Sequence, residues 1–132
     1  MLHHHWQSMR SEIRVLIQEE ACGFLAGIGS EVMQVLPVTN ILHSPSRYRM
    51  DPREQVEAMQ QIAAEGQSIV GIYHSHWTGP SGMSEFDIKE AAYLDAAYLV
   101  WSISKFEWKC RAFRIVDRHA HEIELRVEHR AT

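Results

Sequence analysis

Several absences narrow the class of this 132-residue chain. No apolar run reaches the roughly 20 residues that a bilayer-spanning helix needs. The opening Met1-Leu2-His3-His4-His5-Trp6 lacks the basic and apolar regions of a secretory signal. Together these absences make a cytoplasmic protein the expectation. Basic charge is not in excess: 13 Lys and Arg face 17 Asp and Glu, for a net charge of −4. A phosphate-tracking protein normally carries a basic face, so neither nucleic acid nor membrane is an expected partner. Cysteine is scarce. Cys22 and Cys110 stand alone, without CxxC spacing, and are expected to be buried thiols. Repeats, low-complexity runs and linkers are missing, so residues 1–132 are read as a single domain.

What is present is ordinary in bulk, with 45% apolar and 23% charged residues. Leu2, Trp6, Met9, Ile13 and Leu16 share one helical face, predicting an amphipathic helix from Leu2 to Ile17. The His3–His5 triplet is given no functional role. Cys22–Gly27 reads as a buried strand, Gly29-Ser30 as a turn and Glu31–Val38 as the return strand. Asn40–Ser46 is loop, and Arg47–Met50 has the form of a short strand. Asp51-Pro52-Arg53-Glu54 is a helix start, with Asp51 as cap and Glu54 able to complete a capping box. Val56, Met59, Ile62 and Ala63 form that helix's expected buried face, and Gly66 ends it. Ser68–Tyr73 is a central strand by its continuous apolar character. A loop, Trp77–Met83, leads to a helix from Ser84 to about Ala97. Strands follow at Tyr98–Ser104, at Trp108–Val116 and through the alternating Ile123, Leu125 and Val127. The sum is one α/β domain, a mixed sheet flanked by about three helices.

Chemistry concentrates between Val70 and Asp87. His74 and His76 are two apart, so on a strand both side chains lie on one face. Asp87 falls in the first turn of the next helix, close enough to return to the strand end. Two imidazoles and one carboxylate leave one tetrahedral zinc position for water, the pattern of a catalytic site. The same Ser84-x-x-Asp87 is also a helix-capping pattern, and the two roles are compatible.

His74-Ser75-His76, seven residues, then Ser84-x-x-Asp87 resembles the JAMM motif (MPN+, Mov34/PAD-1) of zinc metallopeptidases. Glu20-Ala21-Cys22-Gly23-Phe24-Leu25-Ala26-Gly27 resembles the upstream E-A-C-G-L-L-x-G of the family's prokaryotic branch. The resemblance covers nearly the whole chain. It implies a curved mixed sheet of the JAMM/MPN, cytidine-deaminase-like type. It implies His74, His76 and Asp87 as ligands of one zinc ion per chain. Glu20 is then the general base and Ser84 the donor to the oxyanion. Glu19 competes for the base, but Glu20 directly precedes Ala-Cys-Gly. Ser75 points the other way and is read as packing. Trp77 replaces a usual proline, so it either contacts substrate or folds back on the core.

The resemblance further implies hydrolysis of a peptide or isopeptide bond after the C-terminal Gly-Gly of a ubiquitin-like or sulfur-carrier protein. Two rival readings are a non-catalytic MPN-type scaffold and a DNA-metabolism relative. All five motif residues are present, against the first. The E-A-C-G segment and the acidic balance oppose the second. A third rival, a hydrolase using H-x-H-x-D-H, needs ligands where Trp77, Thr78 and Gly79 stand.

Overall fold

A computed structural model describes residues 1–129 except Ile17 and Gly79. The expected end of the first helix at Ile17, Gly79 of the central loop and the last three residues of the domain lie outside the described residues. The elements are α1 (His3–Val15), β1 (Cys22–Ile28), β2 (Glu31–Val38), α2 (Pro52–Ala64), β3 (Ser68–His76), α3 (Glu85–Glu90), β4 (Ala97–Ser104), β5 (Glu107–Val116) and β6 (His119–Ile123). They build one six-stranded mixed sheet in the order β2-β1-β3-β4-β5-β6, in which only β3 and β4 run parallel.

Alternation along the strands sorts side chains onto two faces. Phe24, Ala26, Ile72 and Tyr98 pack with Ala58 and Ile62 of α2 and with Ile88 of α3. Leu25, Tyr73, Leu99 and Trp101 pack with Met9 and Ile13 of α1. The sheet thus lies between α1 on one side and α2 with α3 on the other. Gly23 permits a close approach across the sheet, because a Cβ there would stand 2.5 Å from the Tyr73 hydroxyl and 2.6 Å from the Leu36 carbonyl.

Five local expectations need correction. Arg47–Met50 is not a strand; only an isolated bridge joins Asn40 to Met50. Its backbone groups bond instead to the Asn40 side chain. On α2, Asp51 caps through the amides of Arg53 and Glu54, but Glu54 closes no capping box. The Asp51 amide donates to Thr39, and Glu54 accepts from the Thr39 amide. The buried stripe of α2 is Ala58 and Ile62, with Met59 beside them, while Val56 and Ala63 are exposed. Ala58 and Ile62 both pack into the core on this side of the sheet. Gly66, at φ +68°, follows the helix end as expected.

α3 stops at Glu90 rather than near Ala97. The Tyr93 amide donates to the Tyr98 hydroxyl, and the Tyr93 ring meets the edge of Phe24. These contacts favour an unwound connection into β4. The last strand ends at Ile123, yet Leu125 and Val127 still pack on the α1-side core. Both cysteines are free; Cys22 is buried and Cys110 half-buried. Burial pushes both thiols up, so neither is a ready nucleophile. His5 is buried and bonds the Met33 carbonyl, tying α1 to β2.

Candidate metal centre

The site forms at the carboxyl end of β3, where the chain leaves the sheet's parallel pair, a usual place for ligand sites in α/β folds. Ile72, His74 and His76 alternate onto the α2/α3 face, so both imidazoles point toward the start of α3. Ser84 caps that helix. Its Oγ accepts from the Asp87 amide at 3.0 Å, and the Ser84 amide donates to Asp87 Oδ2 at 2.9 Å. This reciprocal cap holds the Asp87 carboxyl in place. The capping and metal-site readings of Ser84-x-x-Asp87 therefore describe one arrangement.

His74 Nε2, His76 Nε2 and Asp87 Oδ2 stand 3.0 Å from one another in all three pairs. Glu20 joins them, with the four residues' ligand atoms all within 4.8 Å. All four residues are buried. The three contacts cannot all be hydrogen bonds between neutral imidazoles and a carboxylate. Each neutral imidazole has one N–H, and His76 uses its Nδ1–H on the Pro80 carbonyl at 2.9 Å. That bond leaves the His76 Nε2 lone pair facing the cluster, the tautomer a metal ligand needs. Glu20 Oε1 and His74 Nδ1 are buried without a partner among the described residues.

Three atoms 3.0 Å apart fit around one ion at zinc bond lengths of about 2.0–2.1 Å. The donor set, two imidazoles and carboxylate oxygen, is one that zinc accepts. The residues present thus fit a metal ion.

The electrostatics separate the four groups. Burial drives His74 down, toward the neutral form that can ligate, against the pull of Asp87. Burial also opposes a charged His76, but hydrogen bonds to Asp87 and Pro80 outweigh it and raise that group. For Asp87, burial works upward, and hydrogen bonds from His74, His76 and the Ser84 amide hold it well below the usual carboxylate range. Glu20 differs. Burial, with Asp87 adding and His76 opposing, pushes its carboxyl up to about 8.

The structure brings Glu20, His74, His76 and Asp87 into one cluster and puts Ser84 at the cap beneath Asp87. Glu19 is elsewhere, 3.1 Å from His43 on the surface. Trp77 folds back on the core: its Nε1 donates to the Leu16 carbonyl at 3.2 Å, and its ring meets Trp108 edge-on at 4.9 Å. Ser75 does more than pack, since its Oγ accepts from the Ala21 amide at 2.8 Å, next to Glu20. Sequence reasoning missed Tyr48, whose ring stacks on His74 at 4.7 Å. Its Arg47-Tyr48-Arg49-Met50-Asp51-Pro52 stretch resembles prokaryotic members of the family, but a phenol in a segment expected to be a strand gives no sign of this contact.

A family model described as prokaryotic homologues of the JAB domain matches residues 2–116. Over 102 residues the chain is 38% identical to a CysO-cysteine peptidase of Mycobacterium tuberculosis, covering 75% of this chain and 70% of that one. It is 39% identical over 70 residues to a desampylase of Pyrococcus furiosus, a match that spans 53% of this chain and only 50% of that relative's length. A protein from Desulfitobacterium hafniense, solved in solution, superposes with a TM-score of 0.86 at 28% identity, covering 98% of this chain and 92% of that one. A JAB1/MPN domain protein from Archaeoglobus fulgidus, at 16% identity and a TM-score of 0.59 over 93% of each chain, shares the fold. The chain belongs to the prokaryotic JAB-domain family and has the JAMM/MPN fold.

Proposed function

We propose that this protein is a zinc-dependent metallopeptidase. Its substrate is a peptide or isopeptide bond after the C-terminal Gly-Gly of a small ubiquitin-like or sulfur-carrier protein. The observation that carries the reading is the buried convergence of Glu20 with His74, His76 and Asp87. The names of the relatives, a CysO-cysteine peptidase and a desampylase, support the substrate class.

In this reading His74, His76 and Asp87 hold one zinc ion. Zinc so held supplies a Lewis acid and brings the pKa of water to near neutrality. Glu20 takes the proton of the attacking water and passes it to the departing nitrogen. Burial pushes its carboxyl up, and a cation held beside it would draw it back toward the ionised form that accepts a proton. Ser84 has one lone pair engaged by the Asp87 amide, and its hydroxyl hydrogen is left to donate to the carbonyl oxygen as negative charge develops. A Gly-Gly tail suits a narrow approach, because two residues without side chains can lie as an added strand beside a sheet.

The test is metal analysis combined with cleavage of carriers extended past Gly-Gly. One zinc per chain and chelator-sensitive release of the extension are expected. Glu20→Gln retains the zinc and loses cleavage by about a hundredfold or more. Chelator-insensitive cleavage, or none with zinc-loaded protein across a panel of carriers, overturns the reading.

A further inference from the structure

Glu20 has an unusual problem of aim. Its Oε1 is buried with no partner among the described residues, so hydrogen bonds at both carboxylate oxygens do not fix the side chain. Nor does a strand ladder hold its backbone, because β1 begins only at Cys22. Its direction is inherited from the irregular peptide that carries it. Beyond the Ala21 amide, which Ser75 Oγ holds at 2.8 Å, the Glu20 backbone is gripped at two points. The Glu20 amide donates to the Ser44 carbonyl at 2.7 Å, and the Glu20 carbonyl accepts from Asn40 Nδ2 at 3.1 Å.

Asn40 is 2% exposed and spends its whole hydrogen-bonding capacity. Nδ2 donates to the carbonyls of Glu20 and Arg47, at 3.1 and 3.0 Å. Oδ1 accepts from the amides of Leu42 and Arg49, each at 3.1 Å. An amide side chain of this length supplies two donors and two acceptors; a carboxylate supplies no donor, and glutamine reaches one methylene further. Asn40 therefore adds side-chain bonds to the backbone bond between Glu20 and Ser44, and ties Glu20 to the loop from 40 to 50. The same loop lays Tyr48 on His74. One buried amide thus sets the carboxylate of Glu20 and the wall behind His74 in a common register.

We infer that Asn40 is a positioning residue, which aims Glu20 at the metal cluster through the Glu20 carbonyl. The inference rests on the proposed role of Glu20 as general base. Misplacing a reacting group by about 1 Å can cost on the order of a hundredfold, whereas His74, His76 and Asp87 make no bond to Asn40 and keep their cap and tautomer contacts.

The experiment compares Asn40→Ser with wild type in the Glu20 and the Glu20→Gln backgrounds. Zinc content, KM, kcat and backbone amide exchange are measured. Asn40→Ser is expected to keep one zinc per chain and a KM within about twofold, and to lose about ten- to a hundredfold in kcat. In the Glu20→Gln background the same change adds no further loss, since the group it aims is gone. The Glu20 amide exchanges faster, while amides of β5 are unchanged. Equal losses in both backgrounds, or an unaltered Glu20 amide, overturn the inference. Should Asn40→Ser fail to fold, Asn40→Gln, with the same groups on a longer stem, must show the same pattern. The exchange measurement judges Asn40 even if no carrier is cleaved, so failure of the proposed activity is distinguishable from failure of this inference.

Discussion

The two faces of β3 carry polar groups under opposite terms. On the α1 face, Tyr73 and Ser75 are bonded within the chain: the Tyr73 hydroxyl donates to Glu12, and Ser75 accepts from the Ala21 amide. On the α2/α3 face, His74 and His76 converge with Asp87 and Glu20 and leave His74 Nδ1 and Glu20 Oε1 without partners among the described residues. Buried polar groups ordinarily find partners because leaving one unsatisfied costs about 1–3 kcal/mol. On β3 itself, Tyr73 and Ser75 thus help hold the fold together, although on the same side of the sheet His5 Nδ1, Arg10 Nε and Trp101 Nε1 are buried without partners among the described residues. The other face of β3 keeps unsatisfied capacity in a buried place, as a binding site must.

Changes on the site face should therefore act on rate more than on stability. Ser84→Gly is the sharpest case. Glycine costs only a few tenths of a kcal/mol as an N-cap, while an oxyanion donor is worth about a hundredfold or more in rate. The variant should keep its zinc and nearly its melting temperature, and lose about a hundredfold in kcat. If rate and stability fall together, Ser84 serves as cap alone and the contrast between the faces weakens.

The α1 face should show the reverse. Burial pushes Glu12 up to about 7 from 4.5, against the lowering effect of the Tyr73 hydrogen bond. A folded pKa above the unfolded one means that the native state binds its proton more tightly. Stability from this group is present in full below the unfolded value of 4.5 and is lost as pH rises to about 7. Glu12→Gln carries no titrating proton, so its stability should fall less than that of wild type across this window. Urea denaturation at a series of pH values measures the difference, and parallel curves would discard the assignment. Catalysis at fixed pH should be little affected in Glu12→Gln, since the residue lies on the opposite face of the sheet from the cluster of Glu20, His74, His76 and Asp87.

What could be read in advance follows the range of the interaction that decides it. The hairpin of β1 and β2, the capped start of α2 and the membership of the buried cluster depend on near neighbours and on the match of spaced motifs. The end of α3 does not. Ala91-Ala92-Tyr93-Leu94-Asp95-Ala96 offers a helix no obstacle, and the helix stops because Tyr93 is held by Phe24, Gln55 and Tyr98 from three other segments. Arg47–Met50 was equally opaque. Its alternation suits a strand, but the Asn40 side chain claims the Arg47 carbonyl and the Arg49 amide. Asn40 itself looks like a loop residue in sequence, since nothing local reveals that its four bonds meet there. The Glu20 and Glu19 pair lay between these cases. Register chose Glu20 for the site, and the structure puts Glu20 in the cluster and Glu19 beside His43.

Trp77 gives the smallest and most discriminating prediction, because it follows His76 directly yet belongs to the other side. A proline at this place would donate no hydrogen bond from a side chain. Tryptophan donates its indole N–H to the Leu16 carbonyl just beyond α1 and sets its ring against Trp108. It therefore fastens the exit of β3 to the α1-side core. Trp77→Phe keeps a ring against Trp108 and gives up one partly buried hydrogen bond, a loss of about 1 kcal/mol. Stability should drop by that amount in denaturant titration, with kcat and KM for the cleaved carrier unchanged within about twofold. A several-fold rise in KM with unchanged stability would instead make Trp77 part of the substrate path, and the boundary between the holding face and the binding face would have to move past His76.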